Sequence, residues 1–140
     1  MSIGGNIKRV LQEQGRSVTW LQSQIETVNI NTLYGYLNRD RNKLDEYFIY
    51  KCALYLDVTI DDLVEGVDPI NVSDRKLITS FNQTTTEYSI RKEVEGEACG
   101  YYVLKDLKTL EEKKLTLAEF LNLRCNIITF ADWRLSEYMK

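Results

Sequence analysis

A group of polar side chains between positions 29 and 43 offers the most specific chemistry in this sequence. An asparagine amide donates and accepts hydrogen bonds, as the edge of adenine requires in the major groove of DNA. Arginine and lysine side chains bind phosphates. The candidates for a recognition surface are Asn29, Asn31, Thr32, Tyr34 and Asn38, and those for phosphate contacts are Arg39, Arg41 and Lys43.

The recognition candidates lie on and beside the second of two short amphipathic segments. These segments cover residues 18–25 and 30–37. In the second one, Ile30, Leu33 and Leu37 are spaced for a single buried stripe of a helix, so the polar residues fall on its other side. The pattern predicts a helix-turn-helix, whose second helix is the one that enters a DNA groove.

Three further helices are predicted around this pair. Residues 2–14 have apolar side chains at helical spacing, and Gly15 follows as a stop signal. Residues 45–56 carry a wide apolar stripe. Thr59 and Asp62 have the spacing of a capping box at the start of a short helix. The first 66 residues therefore read as five helices.

The charge is unevenly distributed along the chain. The whole sequence has a net charge of −3. Residues 1–44 contain six basic and three acidic side chains, which gives +3, whereas residues 45–66 have a net charge of −5. Phosphate attraction depends on the local surface rather than on the total charge. The positive part coincides with the predicted helix-turn-helix.

The order of these elements resembles the Cro/CI-like (XRE) helix-turn-helix domains of phage repressors and bacterial regulators, over about residues 3–66. The most specific part is Ala-Leu-Tyr-Leu-Asp-Val-Thr-Ile-Asp-Asp-Leu at 53–63. It is similar to the closing family pattern A-x-x-L-x-V-(S/T)-(I/L)-(D/E)-(D/E)-L. The start, Ile-Gly-Gly-Asn-Ile-Lys-Arg at 3–9, is similar to I-G-x-N-I-K-x-L-R. The resemblance implies double-stranded DNA as a partner, bound by a homodimer.

The second half of the chain has strand signals and one helix signal. Residues 86–94 alternate, and residues 101–107 are rich in strand-forming side chains, which together predict a hairpin. A capping box at 116–119 predicts a helix through about Leu123, and residues 126–133 look like a third strand. We therefore predict an α+β fold, in which an N-terminal all-α helix-turn-helix domain precedes a small β-β-α-β module.

The single proline, Pro69, suggests a boundary between these parts. We predict a DNA-binding domain at 1–68, a linker at 69–85 with one short strand or helical turn at 76–81, and a module at 86–140 for dimerisation or partner binding. Six aromatic residues of the second half either fill its small core or form an interface: Tyr88, Tyr101, Tyr102, Phe130, Trp133 and Tyr138.

Several other classes of protein find no support in the sequence. It has no histidine, so His-based catalysis and His-ligated metal sites are excluded. The three cysteines are widely spaced, and no phosphate-binding loop is present. We expect no enzyme activity, no metal and no cofactor. No apolar run is long enough to span a bilayer and no signal peptide is recognisable, which predicts a cytoplasmic protein without membrane contact.

The leading hypothesis is a DNA-binding transcriptional regulator of phage or bacterial repressor type. One alternative is a phage inhibitor of a host protein, such as an anti-CRISPR protein, that uses its helix-turn-helix for autorepression and its second half for a protein partner. Another is a helical core that never touches DNA. Exposed asparagine and threonine are ordinary on any helix surface, so all three stay open.

Overall fold

The computed structural model describes residues 2–26, 28–38, 42–96 and 99–140, with the backbone alone for Asn42 and Lys43. The first part of the chain contains five α-helices, as the sequence predicts. Their bounds are α1 Ile3–Glu13, α2 Val18–Gln24, α3 Ile30–Asn38, α4 Glu46–Leu56 and α5 Ile60–Leu63.

Local signals set the ends of these helices. Ser17 caps α2 by accepting a hydrogen bond from the backbone N–H of Trp20 at 3.0 Å. Gly15 follows α1 with φ of +66°, a left-handed conformation that favours glycine. Thr59 and Asp62 form the predicted capping box at the start of α5. The helix boundaries predicted in this part are confirmed to within a few residues.

Close contact between α1 and α3 depends on a glycine. A Cβ atom added to Gly4 would lie 2.4 Å from the carbonyl oxygen of Tyr36 in α3. On the same helix, the buried Asn6 donates through Nδ2 to the carbonyl oxygens of Leu63 and Glu65, both at 2.9 Å. The start of the chain therefore fixes both α3 and the end of α5.

The segment between α5 and the sheet is folded. A short 3-10 helix, Pro69–Asn71, leads into β2, Val72–Ser73, which pairs in parallel with β1, Asn42–Lys43. Helix α6 follows at Arg75–Thr84 and buries Leu77 and Phe81. Where we expected a linker with one short strand or helical turn, the chain contains both a strand and a longer helix that add to the core.

The second part contains a three-stranded antiparallel sheet in the order β3-β4-β5. The strands are β3 Tyr88–Glu95, β4 Cys99–Asp106 and β5 Glu112–Leu115. The predicted hairpin of β3 and β4 is confirmed, with Tyr88 opposite Asp106 and Glu95 opposite Cys99. The α+β class is also confirmed.

The predicted β-β-α-β order is wrong, because the third strand precedes the helix. Helix α7, Leu117–Tyr138, is 22 residues long and includes residues 126–133, where we expected a strand. Those residues are rich in strand formers, but neither glycine nor proline interrupts the helix that begins at the capping box of Thr116. The sequence does not indicate the third strand, β5, because its first three residues are charged and exposed.

The two parts share one hydrophobic core, which is continuous from Ile3 to Cys125. Polar contacts also join them: Arg124 of α7 donates through Nε to a carboxylate oxygen of Glu46 in α4 at 2.8 Å. Asp74 accepts a hydrogen bond from the Tyr102 hydroxyl, and it pairs with Lys92 at 3.1 Å. Within the part of the chain that the structure describes, no helix has both the length and the apolar character needed to cross a membrane.

Candidate nucleic-acid interface

The two sides of α3 differ sharply in burial. Leu33 and Leu37 are buried, and α3 packs against α1 and α2. Asn31, Thr32 and Tyr34 are exposed, with Tyr34 exposed by 44%. The structure therefore exposes these three recognition candidates on the part of α3 that does not pack on the core, and Asn29 and Asn38 are exposed at the two ends of the helix.

Asn29 also has a structural role at the start of α3. Its Oδ1 atom accepts a hydrogen bond from the backbone N–H of Thr32 at 2.8 Å. This is the contact of an N-cap, which satisfies one of the free N–H groups of a helix start. Because Oδ1 is used in this way, the amide nitrogen of Asn29 is the atom that remains suited to contact a ligand.

At the other end of α3, Asn38 is held by a residue that the sequence did not single out. Lys8 of α1 donates through Nζ to Oδ1 of Asn38 at 3.0 Å. Lys8 lies one helical turn after Gly4, the residue at the closest approach of α1 to α3. The contact spans 30 residues, and no local sequence pattern indicates it. The contact places a positive charge beside the exposed face of α3.

The three candidates for phosphate contacts cannot be located on this surface. Arg39 and Arg41 lie outside the described residues, and Lys43 is described by its backbone alone. The backbone of Asn42 and Lys43 forms β1, in register with Val72 and Ser73. Their assignment to phosphates stays a prediction from the sequence.

A tyrosine behind the exposed face ties α3 to α4. The ring of Tyr36 stacks on Phe48 with centroids 4.4 Å apart, and its hydroxyl donates to Oδ2 of Asp45 at 3.0 Å. Burial and the negative charge of Asp45 raise the pKa of Tyr36 to about 12. Asp45 itself caps α4 through Phe48. The ring stacking and the hydrogen bond of Tyr36 together fix the orientation of α3 relative to α4.

Near the start of α2, Arg16 supplies another exposed positive charge. Its guanidinium lies over the ring of Trp20, 4.0 Å from the centroid, and donates to the carbonyl oxygen of Tyr55 at 3.3 Å. Trp20 is half-buried and packs against the core. Arg16 is one of the six basic residues of positions 1–44.

An open groove of about 430 Å³ lies between the end of α2 and α4. Lys51 lies on this groove with its ammonium 5.3 Å from the ring centroid of Tyr47. The residues that line it are Ser23, Gln24, Ile25, Glu26, Tyr47, Lys51 and Tyr55. No sequence pattern links the two segments that form the groove, since helix packing alone brings them together.

Two of the three cysteines, Cys52 and Cys125, are buried. Burial raises the pKa of Cys52 to about 12 and that of Cys125 to about 11, with the nearby carboxylates of Asp45 and Glu46 adding to the respective shifts. Both thiols are therefore protonated at neutral pH and poor nucleophiles. Within residues 2–26, 28–38, 42–96 and 99–140, no cluster of three or more potential ligands could hold a metal ion.

No protein-family model, no curated protein and no solved structure matches this chain. The resemblance to Cro/CI-like domains therefore rests on the two residue patterns at 3–9 and 53–63.

Proposed function

We propose that this protein binds double-stranded DNA through the exposed face of α3 and acts as a transcriptional regulator. The main support is the two-sided character of α3: its leucines anchor it to α1 and α2, and amide and hydroxyl groups point away from the core. A helix held in this way presents side chains in a fixed geometry, which direct readout of bases requires.

The dimensions of α3 suit the major groove. The helix has nine residues, so it is about 14 Å long, and the groove is about 12 Å wide. In this proposal Asn31 contacts a base edge, and Thr32 and Tyr34 lie beside it. Each good pair of hydrogen bonds from an amide to adenine discriminates against other bases by about 1–3 kcal/mol.

Charge supports the same surface. Residues 1–44 have a net charge of +3, and Lys8 lies beside Asn38 at the edge of the exposed face. Positive side chains that flank a recognition helix attract the phosphates on either side of the groove. We assign this role to Lys8 as well as to Arg39, Arg41 and Lys43. A homodimer, which would read two half-sites, is part of the proposal.

The test uses the full chain, because the shared core makes a truncated first part unsuitable. Duplexes enriched by the protein from a randomised library of about 20 base pairs, roughly two helical turns, supply the specific probe. Asn31→Ala should weaken binding to the enriched duplex by about 1–3 kcal/mol and leave binding to unselected DNA nearly unchanged. Fluorescence anisotropy measures both affinities.

Asn71→Ala is the matched control. Asn71 is an exposed asparagine of the 3-10 helix, outside α3, so its loss should affect neither affinity. Three results would contradict the proposal: no sequence enriched from the library, no binding to any duplex, or equal losses for the two variants.

A further inference from the structure

The carboxylate of Asp74 is turned away from the helix that it precedes. Asp74 occupies the N-cap position of α6, where an aspartate side chain ordinarily accepts a hydrogen bond from a backbone N–H of its own helix. Within the part of the chain that the structure describes, Asp74 makes no such capping bond. Its side chain is buried instead, with 5% exposed. Because a buried charge is costly unless it is paired, the contacts that replace the cap must satisfy this carboxylate.

Two side chains of the three-stranded sheet bind the Asp74 carboxylate. The fully buried Tyr102 of β4 donates its hydroxyl hydrogen to Oδ2 of Asp74. The ammonium of Lys92 in β3 lies 3.1 Å from the same oxygen, and it also donates to the carbonyl oxygen of Pro69 at 3.1 Å. Burial, together with the hydrogen bond to Asp74, raises the pKa of Tyr102 far above its usual range, so its hydroxyl stays a donor.

The chain just before Asp74 is also held on this sheet. Asp68 accepts a hydrogen bond through Oδ1 from the backbone N–H of Gly100 in β4 at 2.9 Å. Gly100 allows the close approach, because an added Cβ atom would lie only 3.1 Å from the backbone nitrogen of Ile70. Residues 68–74, named here the tether segment, are therefore fixed to the sheet at both ends.

The middle of the tether segment pairs with the chain that follows α3. Strand β2 lies in the tether segment and runs parallel to β1, and the backbone N–H of Leu44, next to β1, donates to the carbonyl oxygen of Ser73 at 3.3 Å. Strand β1 comes shortly after Asn38, the last residue of α3. It includes Lys43, which the proposed function assigns to a phosphate. The tether segment thus joins the three-stranded sheet to the chain beside the recognition helix.

We propose that the three-stranded sheet holds β1 in position for DNA contact, with Tyr102 and Lys92 acting as positioning residues through Asp74. The inference rests on the proposed function, and it gives the second part of the chain a role in that function. A side chain that contacts phosphates fixes the register of a protein on the duplex. Backbone that is held in place before binding loses less conformational freedom when the complex forms.

Tyr102→Phe tests the tether segment without DNA, because it keeps the ring and removes the hydroxyl that donates to Asp74. Hydrogen exchange of the full chain, measured by nuclear magnetic resonance, reports local opening at the Leu44 amide. The amide of Leu11, buried in α1, reports global unfolding. We expect the ratio of the Leu44 rate to the Leu11 rate to rise about tenfold, since a hydrogen bond to a charged group is lost.

Tyr101→Phe is the matched control for this variant. Tyr101 precedes Tyr102 in β4, so its side chain lies on the opposite face of the sheet from Asp74. The control removes a hydroxyl from the same strand and should leave the exchange ratio unchanged. Equal acceleration at Leu44 and Leu11 in Tyr102→Phe would overturn the proposal, because it would show a general loss of stability.

A double variant tests whether Tyr102 acts through Asp74. Asp74→Asn alone should also speed exchange at Leu44, because the amide is a weaker partner for the hydroxyl and the ammonium. In the double variant the acceleration should be smaller than the product of the two single accelerations, since both changes affect one contact. Independent effects of the two substitutions would contradict the proposed route.

DNA binding provides the second readout. Tyr102→Phe should weaken binding to the enriched duplex and to unselected DNA by a similar factor of about three, because phosphate contacts carry no sequence information. The slope of log affinity against log salt should become shallower by about 0.9 for each phosphate contact that is lost. Tyr101→Phe should change neither the affinities nor the slope.

The two readouts distinguish failure of this inference from failure of the proposed function. A wild-type chain that binds no duplex would contradict the proposed function, while faster exchange at Leu44 would still support the hold of the sheet on β1. A chain that binds DNA, with the same exchange ratio, affinities and salt slope in Tyr102→Phe and Tyr101→Phe, would overturn the inference and leave the proposed function standing.

Discussion

The exposed face of α3 and the distal half of α7, residues 126–138, are both solvent-facing helix surfaces, yet they differ in what lies behind them. Behind the polar face of α3 are Leu33 and Leu37, buried in the core. The distal half of α7 has no buried residue and exposes its apolar side chains instead. The α3 surface is complete within one chain, whereas the α7 surface leaves apolar area uncovered.

This difference indicates two kinds of partner. A polar surface on a fixed helix suits a ligand that is recognised by hydrogen bonds and charge, and DNA is such a ligand. An apolar surface on an unsupported helix suits a partner that covers it, because burial of apolar area is the main driving force for protein association. Exposure alone does not distinguish a surface that suits DNA from one that suits a protein partner. The chemistry of the exposed side chains does.

The largest expected contrast is in folding stability. Leu33→Ala removes a fully buried side chain (0% exposed) and should lower the free energy of unfolding by about 2–5 kcal/mol. Leu135→Ala, at 64% exposed, should change it by less than about 0.5 kcal/mol in the monomer. Urea unfolding of both variants at low protein concentration provides the comparison. Similar losses would mean that the distal half packs on its own chain.

A smaller effect is expected where α7 is anchored. Glu46→Gln replaces the carboxylate that accepts two hydrogen bonds from Arg124, whose side chain is 5% exposed. We expect a loss of about 2 kcal/mol in the free energy of unfolding, since a buried guanidinium loses its charged partner. Thermal and urea unfolding measure this loss.

Glu137→Gln is the control for that variant, because its pair with Lys140 links residues three apart near the end of α7. This change should cost less than about 0.5 kcal/mol. If Glu46→Gln lowered the free energy of unfolding no more than the control, the ion pair between Glu46 and Arg124 would not stabilise the contact between the two parts of the chain.

Salt concentration should affect DNA affinity and association of the chains differently. Each phosphate contact contributes about −0.9 to the slope of log affinity against log salt, so three contacts would lower DNA affinity about 40-fold for a fourfold rise in salt. Association of two copies of the chain through apolar surface should weaken little or not at all over the same range. Anisotropy and sedimentation at matched salt concentrations measure the two responses. A DNA affinity that does not change with salt concentration would contradict the proposed phosphate contacts.

The smallest expected effect concerns Tyr36 behind α3. Its pKa is raised to about 12 from the usual 10 of an unfolded chain. The folded state therefore retains the hydroxyl proton more tightly, and this stabilisation is complete below pH 10 and is lost as the pH rises to 12. Stability should fall less steeply between pH 10 and 12 in Tyr36→Phe than in the wild type. Tyr34→Phe, which removes an exposed hydroxyl, should follow the wild type.

The sequence predicts the α3 region well and the α7 region poorly, for physical reasons. Ser17, Asn29 and Thr59 act through neighbours three residues away, so their caps are visible in the sequence. The distal half of α7 contains strand-forming residues, and only its continuity with an anchored helix makes it helical. The contact of Lys8 with Asn38 spans 30 residues, and no local pattern encodes it.

The candidate site also contains some residues that the sequence indicates and others that it does not. Asn31, Thr32 and Tyr34 could be placed off the buried stripe of α3 from helical spacing alone, and the structure exposes all three. The buried role of Tyr36 depends on α4, which lies beyond the segment that the spacing describes. Helix packing alone brings Lys8 beside this surface and Arg16 against the carbonyl oxygen of Tyr55.

The most direct test of the central claim is a nuclear magnetic resonance titration of the full chain with an enriched DNA duplex. We expect the largest shifts for the backbone amides of α3 and for the side-chain amide of Asn31, with little change in the distal half of α7. No perturbation of α3, or shifts confined to α7, would contradict the account.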